Sequence, residues 1–252
     1  MTAAGATYNS GVVAGSTASL SVVIPAFNEE AYVERCVSSL ESVLRELTGD
    51  FEIIVVDDGS RDRTWAILES LQRSRPYLVT VRHERNQGLG RTLRSGFERC
   101  TKAVTFYTDA DLPFDFVELG RGLRVMRFND ADVIAGFRHD RTSEGIRRIV
   151  YSFSYNLLIR LVFGLRIRDV NFSFKLLRTA AIRRMDLRSD GSFIDAEMLI
   201  QADRLGLFIC QIGVDYFKRQ HGRSNLSSLR TIRKMLWELL REYPALARIR
   251  AS

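Results

Sequence analysis

A chain of 252 residues with 46% hydrophobic and 27% charged side chains has an ordinary globular composition, which excludes a disordered or fibrous protein. The length suits one sizeable α/β domain with small additions and is too short for two full domains plus a membrane region. The net charge of +7 is concentrated in residues 138–168 and 221–252, each with seven Lys or Arg against two acidic residues. These segments favour an anionic partner such as phosphate groups or a membrane surface, with a solvated basic face as the alternative. No nucleic-acid-binding motif is present, so we expect no nucleic-acid partner.

The start of the chain and its cysteines indicate where the protein works. Residues 1–19 are rich in Ala, Gly, Ser and Thr. They lack the basic N-terminal region and the apolar segment of a signal peptide, which predicts a flexible tail rather than a secretory signal. Cys36, Cys100 and Cys210 are odd in number and widely spaced, which fits neither a disulfide framework nor a zinc site. We therefore expect a cytoplasmic protein with three buried thiols.

Strands and helices alternate through the first half of the chain. Strands are predicted at 20–25, 51–56, 78–82 and 103–107, and helices at 29–47, 64–73 and 91–100. Strict alternation predicts an α/β protein with a mainly parallel sheet covered by helices on both faces.

Two later segments have the spacing of amphipathic helices. Residues 149–165 and 226–249 repeat apolar side chains at helical intervals; the first is interrupted by Arg160, and the second has Lys and Arg on the opposite side. Neither contains the roughly 18 consecutive apolar residues of a membrane span. We expect helices that dock on the surface of a membrane or, as the alternative, pack on each other or across a homodimer.

Acidic side chains follow three of the predicted strands. Asp109 and Asp111 come after the fourth strand, and residues at i and i+2 share a face, so both carboxylates can converge on one divalent cation. A solvated turn is the alternative for this tripeptide taken by itself. The first two strands end in Asn28-Glu29 and Asp57-Asp58. Because ligands bind beyond the carboxyl ends of parallel strands, we expect these groups to form one site.

Two common nucleotide-binding motifs are excluded. Gly88-Leu89-Gly90 follows the third strand instead of the first and lacks the third glycine of a dinucleotide-binding loop. The Gly-Lys-Ser/Thr of a phosphate loop is also absent from the sequence. A nucleotidyltransferase is disfavoured, because Pro25-Ala26-Phe27-Asn28 stands where such enzymes carry a glycine-rich basic loop.

An ordered set of motifs resembles the family 2 glycosyltransferases with the GT-A fold. It comprises VIPAFNEE (23–30), VDDGSRD (56–62), RNQG (85–88), DAD (109–111), AGFR (135–138), DVNFSFKL (169–176), GSFIDAE (191–197) and YFKRQHGRS (216–224). The resemblance covers about Leu20 to Ser224 and is nearest to the polyprenyl-phosphate branch, which includes dolichol-phosphate mannose and glucose synthases. It implies a tail at 1–19, a GT-A glycosyltransferase domain at 20–225 and an amphipathic C-terminal helix at 226–252.

The resemblance also implies a donor site for a nucleotide-diphosphate sugar. Pro25, Phe27 and Glu29 would line the nucleotide pocket, with Asp57 or Asp58 reaching the base or ribose and Gly88 shaping a tight loop nearby. Asp109 and Asp111 would hold Mg²⁺ or Mn²⁺ against the diphosphate, which also makes Asp111 a catalytic residue. Arg138 and Arg219 would bind phosphate oxygens, although a surface salt bridge is the default for each arginine by itself.

Enzymes of this family invert the configuration at the anomeric carbon in a single in-line displacement. The resemblance does not decide which acceptor is used. A phosphate acceptor, for which we expect a polyprenyl phosphate, is already ionised and needs positioning by cations such as Arg147 or Arg148. A hydroxyl acceptor would need a general base, Asp195 or Glu197, and these carboxylates could equally hold Arg219 or a loop. The alternatives are a soluble enzyme of a specialised pathway that uses a small hydroxyl or phosphate acceptor, and a non-catalytic sugar-nucleotide-binding pseudoenzyme.

The sequence departs from the family at three positions. Pro113 stands where many mannose synthases carry a metal-binding glutamine, Ser173 replaces a glycine, and Asn225 replaces a lysine. The chain therefore lacks one metal ligand and one phosphate-binding cation of the family pattern.

Overall fold

The computed structural model describes residues 18–140, 146–217 and 229–249. The strands are β1 (Leu20–Ala26), β2 (Phe51–Asp57), β3 (Leu78–Arg82), β4 (Val104–Tyr107), β5 (Val133–Arg138), β6 (Lys175–Arg178) and β7 (Ile209–Val214). The helices are α1 (Val33–Leu47), α2 (Thr64–Gln72), α3 (Leu89–Phe97), α4 (Glu118–Phe128), α5 (Ile146–Phe163), α6 (Thr179–Arg183), α7 (Ile194–Arg204) and α8 (Leu229–Leu246). The predicted alternation of strands and helices in the first half is confirmed, with boundaries that differ by a few residues.

The strands form one sheet in the order β3-β2-β1-β4-β6-β5-β7. All neighbouring pairs are parallel except those of β6, which runs antiparallel to both β4 and β5. The predicted mainly parallel α/β sheet is therefore confirmed. The register of the antiparallel pair sets Lys175 opposite Tyr107, at the end of β4 where the acidic tripeptide follows.

Helices cover both faces of the sheet because the central strands are apolar on both sides. In β1, Val22 and Ile24 belong to the core under α1, α2 and α4, whereas Val23 belongs to the core under α3, α5, α7 and α8. Such continuous apolar runs are typical of parallel strands buried on both faces.

The C-terminal helix is part of this core. The side chains of Met235, Leu239 and Leu246 on α8 are buried, and the latter two pack in the same cluster as α7. Residues 1–17, 226–228 and 250–252 lie outside the described residues, and with them most of the predicted tail and both ends of the predicted 226–252 segment.

The cysteine prediction is wrong at one position. Cys36 and Cys100 are buried free thiols, but Cys210 is only half-buried. Cys210 lies on β7, which is the edge strand of the sheet and is covered less than the central strands.

The helices of the described residues include none that is both long enough and apolar enough to cross a membrane.

Candidate active site

A cavity of about 540 Å³ opens at the carboxyl ends of β1, β2 and β4. Its walls contain nine of the predicted site residues: Pro25, Phe27, Glu29, Asp58, Gly88, Asp109, Asp111, Arg138 and Asp195. Asp57 and Glu197 are not in its walls. The predicted phosphate-binding Arg219 and the side chains of Arg147 and Arg148 lie outside the described residues, as does Asn225.

The loop after β1 is tied to the loop after β2. Asn28 adopts a left-handed backbone with φ of 56°. Its N–H donates to Ser60 Oγ at 2.8 Å, and its Oδ1 accepts the N–H of Arg61 at 2.8 Å. The next residue, Glu29, donates its N–H to Thr64 Oγ1 at 2.8 Å. These bonds fix the turn that brings Phe27 and Glu29 to the cavity wall.

The two aspartates that end β2 have different positions. Asp57 is fully buried, accepts the N–H of Ser60 at 3.2 Å and lies 3.6 Å from Arg82 Nε. Asp58 lies in the cavity wall, and its two oxygens accept the N–H groups of Gln87 and Gly88, each at 2.9 Å. Of the pair, Asp58 is therefore the residue that can reach a ligand, while Asp57 stabilises the turn.

Asp109 and Asp111 both line the cavity just beyond β4. The following residue, Leu112, has φ of 55°, a backbone conformation that non-glycine residues rarely adopt. No three His, Cys, Asp or Glu side chains in the described parts of the chain cluster closely enough to hold a metal by themselves. Two carboxylates that face an open cavity nevertheless fit a hard divalent cation such as Mg²⁺, which is commonly held by one or two carboxylates plus phosphates and waters.

Arg138 lies in the cavity wall and forms an ion pair with Asp169. Its Nε and Nη2 donate to the two oxygens of Asp169 at 2.7 and 3.0 Å, and both side chains are almost fully buried. The guanidinium also lies 5.6 Å from the ring centre of Phe172 and 5.3 Å from that of Tyr216. This arrangement fixes the arginine at the cavity but uses two of its nitrogens, so fewer donors are left for a phosphate than the resemblance implies.

Asp195 lies in the cavity wall, in the first turn of α7, and forms an ion pair with Lys175. Lys175 Nζ, on β6, donates to Asp195 Oδ1 at 2.7 Å and to the carbonyl of Phe172 at 2.6 Å. Burial raises the pKa of Asp195 to about 6, and Lys175 offsets this only in part. Burial also raises the pKa of Tyr107, whose ring lies 5.5 Å from Lys175 Nζ, and the carboxylates of Asp195 and Asp109 add to that increase.

Glu197 holds a loop, which is one of the two roles that the sequence left open. Its carboxylate accepts the N–H groups of Arg188 and Ser189 at 2.8 and 2.9 Å. A second acid, Glu238 of α8, accepts the N–H groups of Gly191 and Phe193 at 2.9 and 3.4 Å. Burial raises the pKa of both carboxyl groups. Together they fix residues 188–193, which lead into Asp195.

Several residues that shape the site were not predicted. His83, Asp169 and Lys175 bond to predicted site residues, and Glu238 bonds to the backbone just before Asp195. Tyr155, Asn171 and Ser192 line the cavity. Lys175 and Asp169 belong to the motif DVNFSFKL, so both residues were noted in the sequence. Their partners, however, lie 20 and 31 positions away. Side-chain pairs at such separations carry no periodic signal in a single sequence.

Curated relatives of this chain are named as undecaprenyl-phosphate sugar transferases. The undecaprenyl-phosphate 4-deoxy-4-formamido-L-arabinose transferase of Pseudomonas paraeruginosa is 31% identical over 218 residues, which is 86% of this chain and 62% of the relative. The enzyme of the same name from Pseudomonas fluorescens strain Pf0-1 is 30% identical over 219 residues, again 86% of this chain and 62% of the relative. The chain thus spans less than two thirds of the length of these relatives.

Solved structures with the same fold carry nucleotide sugars. Glucosyl-3-phosphoglycerate synthase from Mycobacterium tuberculosis, solved with Mn²⁺, UDP-glucose and phosphoglyceric acid, matches with a TM-score of 0.69 and 20% identity, over 90% of this chain and 80% of that chain. A mannosyltransferase from Pyrobaculum calidifontis, solved with GDP-Man and Mn²⁺, matches with a TM-score of 0.65 and 13% identity, over 92% of this chain and 69% of that chain. These likenesses support the GT-A-like fold.

The family model described as glycosyl transferase family 2 matches residues 21–189. This range runs from the second residue of β1 to beyond β6 and contains the acidic tripeptide at the cavity. The chain therefore belongs to glycosyl transferase family 2.

Proposed function

We propose that the protein transfers a sugar from a nucleotide-diphosphate sugar to a polyprenyl phosphate, with inversion at the anomeric carbon. The observation that carries this proposal is the cavity in which Asp109, Asp111 and Asp195 meet the loops after β1 and β2. The relatives that are named for transfer to undecaprenyl phosphate support the acceptor. The similar folds solved with UDP-glucose or GDP-Man support the donor.

In this proposal the nucleotide lies against the loops after β1, β2 and β3. Pro25, Phe27 and Glu29 form one wall, and Asp58 and Gly88 form the neighbouring one. Phe27 is partly exposed, which leaves its ring available to a base or ribose. Asp57 is a support for this wall, since its carboxylate is buried under the turn.

Asp109 and Asp111 would hold Mg²⁺ or Mn²⁺ beside the diphosphate. A bound divalent cation neutralises the charge that develops on a departing phosphate oxygen. Arg138 supplies further positive charge at the cavity wall, and Arg219 is proposed to do the same from outside the described residues. Pro113, which lines the cavity where many mannose synthases carry glutamine, offers no side-chain ligand.

The transfer itself needs a nucleophile and a leaving group in line. An acceptor phosphate oxygen forms the new bond to the anomeric carbon while the bond from that carbon to the diphosphate oxygen breaks, and the nucleoside diphosphate leaves with the electron pair. Because a phosphate monoester is already ionised near neutral pH, this step requires orientation more than proton removal. With a small hydroxyl acceptor, the alternative, Asp195 would be the base, since Glu197 is committed to the N–H groups of Arg188 and Ser189.

We further propose that the protein contacts the inner face of a membrane through α5 and α8. Both helices contribute to the cavity wall, α5 with Tyr151, Ser154 and Leu158 and α8 with Met235 and Leu236. Beside this wall each helix has large apolar side chains exposed, so a lipid acceptor could reach the cavity from the surface on which the helices rest. A homodimer through the same surface is the alternative.

A binding experiment tests the donor half of the proposal, and a transfer assay tests the acceptor half. Thermal melting is followed with UDP, GDP and dTDP sugars, with and without Mn²⁺, because a ligand that binds the native state raises the melting temperature. We expect metal-dependent stabilisation by one nucleotide, followed by transfer of labelled sugar to undecaprenyl phosphate.

Variants at the acidic tripeptide provide the control. D109N and D111N should melt near the wild-type temperature without ligand but lose the metal-dependent increase and the transfer activity. Metal-dependent stabilisation without transfer to any acceptor would favour the pseudoenzyme, and absence of stabilisation by every nucleotide sugar would favour another ligand over this proposal. Transfer to water-soluble acceptors in place of the lipid would support the specialised-pathway enzyme.

A further inference from the structure

His83 lies behind the donor-site wall in a chain of buried side chains. Its Nδ1 is 2.7 Å from Asp58 Oδ1, and its Nε2 is 3.0 Å from Ser95 Oγ. All three residues are nearly inaccessible to solvent. Asp58 directly follows β2, His83 directly follows β3 and Ser95 lies in α3, so the hydrogen bonds join three elements around one loop. His83 itself is not in the wall of the cavity.

The chemistry of the three groups fixes the direction of the hydrogen bonds. An ionised carboxylate can only accept, so Nδ1 carries a proton that it donates to Asp58. In a neutral imidazole Nε2 then accepts, and the Ser95 hydroxyl donates to it. Asp58 thereby selects the tautomer and gains its third donor, and Ser95 satisfies the other ring nitrogen and holds the imidazole in this orientation.

Asp58 uses these donors to hold the loop of residues 86–88. Its Oδ1 accepts from Gln87 N and His83 Nδ1, and its Oδ2 accepts from Gly88 N. A carboxylate offers about four acceptor positions, so one position on Oδ2 stays available to a ligand N–H or O–H. The bond from His83 sets the rotation of the carboxylate and with it the direction of that last position.

The loop that Asp58 holds is itself under tight constraint. Gly88 has φ of 98°, and a Cβ there would lie 2.4 Å from the carbonyl oxygen of Asp190. Asn86 and Gly88 both line the cavity. Because Asp58 accepts the N–H groups of Gln87 and Gly88, a change in the direction of its carboxylate would act on this wall as well as on the open acceptor position.

We propose that His83 is a positioning residue of the donor site, which holds Asp58 against Gln87 and Gly88 and thereby sets the affinity for the nucleoside diphosphate. This inference rests on the proposed function, because it takes the ligand of that wall to be a nucleoside diphosphate. His83 acts through Asp58 and makes no contact with the reacting atoms, so its loss should raise KM for the donor and leave kcat at saturating donor nearly unchanged.

Two substitutions distinguish the roles of the two imidazole nitrogens. Asparagine places an amide N–H near the position of Nδ1, so H83N retains a donor to Asp58. Glutamine places its amide near the position of Nε2, so H83Q retains the contact to Ser95 and loses the donor to Asp58. We expect H83Q to bind the nucleoside diphosphate about tenfold more weakly and H83N to regain most of that affinity.

The measurement is calorimetric titration of wild type, H83Q and H83N with the nucleoside diphosphate that stabilises the wild type, in the presence of Mn²⁺. S95A is the second variant in case H83Q does not fold, with a weaker loss in the same direction expected because the imidazole is then held by a hydrogen bond at one nitrogen only. Equal affinity in wild type and H83Q, or an H83N as weak as H83Q, would overturn the role of His83. If no nucleoside diphosphate binds to the wild type, the proposed function fails and this inference fails with it.

Discussion

At the scale of single residues, the Lys175–Asp195 pair is an ion pair buried behind the cavity. Lys175 is 1% exposed and Asp195 is 3% exposed, so each charge depends on the other for the loss of its hydration. Removing one member of a buried pair leaves an uncompensated charge, which costs about 3–5 kcal/mol, whereas replacing both can be nearly neutral.

We predict that K175M and D195N each lower the free energy of unfolding by about 3 kcal/mol and that the double variant loses much less than the sum. Urea denaturation of the four proteins measures this cycle. The ion pair between the exposed Arg45 and Glu41 provides the control, since R45M should change the stability little. Additive losses would show that Lys175 and Asp195 do not depend on each other.

The pKa of Asp195 gives a pH dependence with a definite sign. Burial raises this pKa to about 6 in the folded chain, against about 3.9 for an aspartate in an unfolded chain. The native state therefore binds this proton more tightly, and the contribution of Asp195 to stability falls as the pH rises from about 4 to about 6. We predict that the stability of the wild type, minus that of the K175M/D195N double variant, decreases over this range in urea denaturation. An increase over the same range would mean that Lys175 dominates and holds the pKa below its usual value.

The site residues that could be predicted from the order of the motifs lie at the ends of strands. Asp109, Asp111 and Asp58 reach the cavity because parallel strands bring their carboxyl ends to one edge, and that follows from the alternation of elements. Asp57 and Asp58 could not be separated, because adjacent residues differ only in the side of the chain to which they point. The partners His83, Asp169 and Lys175 were beyond prediction, since each depends on the packing of elements that are far apart in sequence.

At the scale of elements, the site depends on how α8 is attached to the start of α7. Glu238 accepts two backbone N–H groups at that start, and Gly191 lies so close to it that a Cβ would be 2.6 Å from Glu238 Oε1. On the neighbouring side Gly90 N donates to the carbonyl of Asp190, and Arg94 is bonded to the Asp190 carboxylate. Residues 189–193 are thus held between α3 and α8.

We predict that E238A lowers the free energy of unfolding by about 1–3 kcal/mol, because two buried N–H groups lose their acceptor. E238Q should recover part of this loss, since its amide oxygen can still accept one N–H. Urea denaturation measures both, and E69A, at an exposed position of α2, is the control expected to have little effect. If E238A is as stable as the control, α8 is not fixed through this carboxylate.

The alternation of the first half predicted the four parallel strands and the helices between them, with α3 beginning two residues earlier than expected. The antiparallel β6 was not predicted, because a strand of four residues, Lys175–Arg178, carries little pattern of its own. The direction of so short a strand has no signal in its own residues and depends on the tertiary structure.

At the scale of the whole molecule, charge and exposed apolar surface coincide on α5 and α8. The exposed apolar side chains are Val150, Phe153, Leu157 and Leu161 on α5 and Leu236, Trp237, Leu240 and Tyr243 on α8. Exposed basic side chains lie beside them: Arg160 on α5 and Arg233, Lys234 and Arg241 on α8. The inner face of α8 is buried in the core, so this outer surface is what the helix offers to a partner. An apolar stripe bordered by Lys and Arg suits a membrane that carries anionic lipids.

We predict that the protein sediments with vesicles that contain phosphatidylglycerol and that high salt weakens this binding, because salt screens the attraction between arginines and lipid headgroups. The F153S/L161S variant of α5 should bind these vesicles about tenfold more weakly, since two large side chains no longer enter the acyl region. F128S is the matched control, because Phe128 at the end of α4 is 89% exposed but lies outside the α5–α8 surface. Equal weakening by F128S would indicate non-specific adhesion. Unchanged vesicle binding of F153S/L161S, with a change from dimer to monomer in solution, would assign the surface to a second copy of the chain.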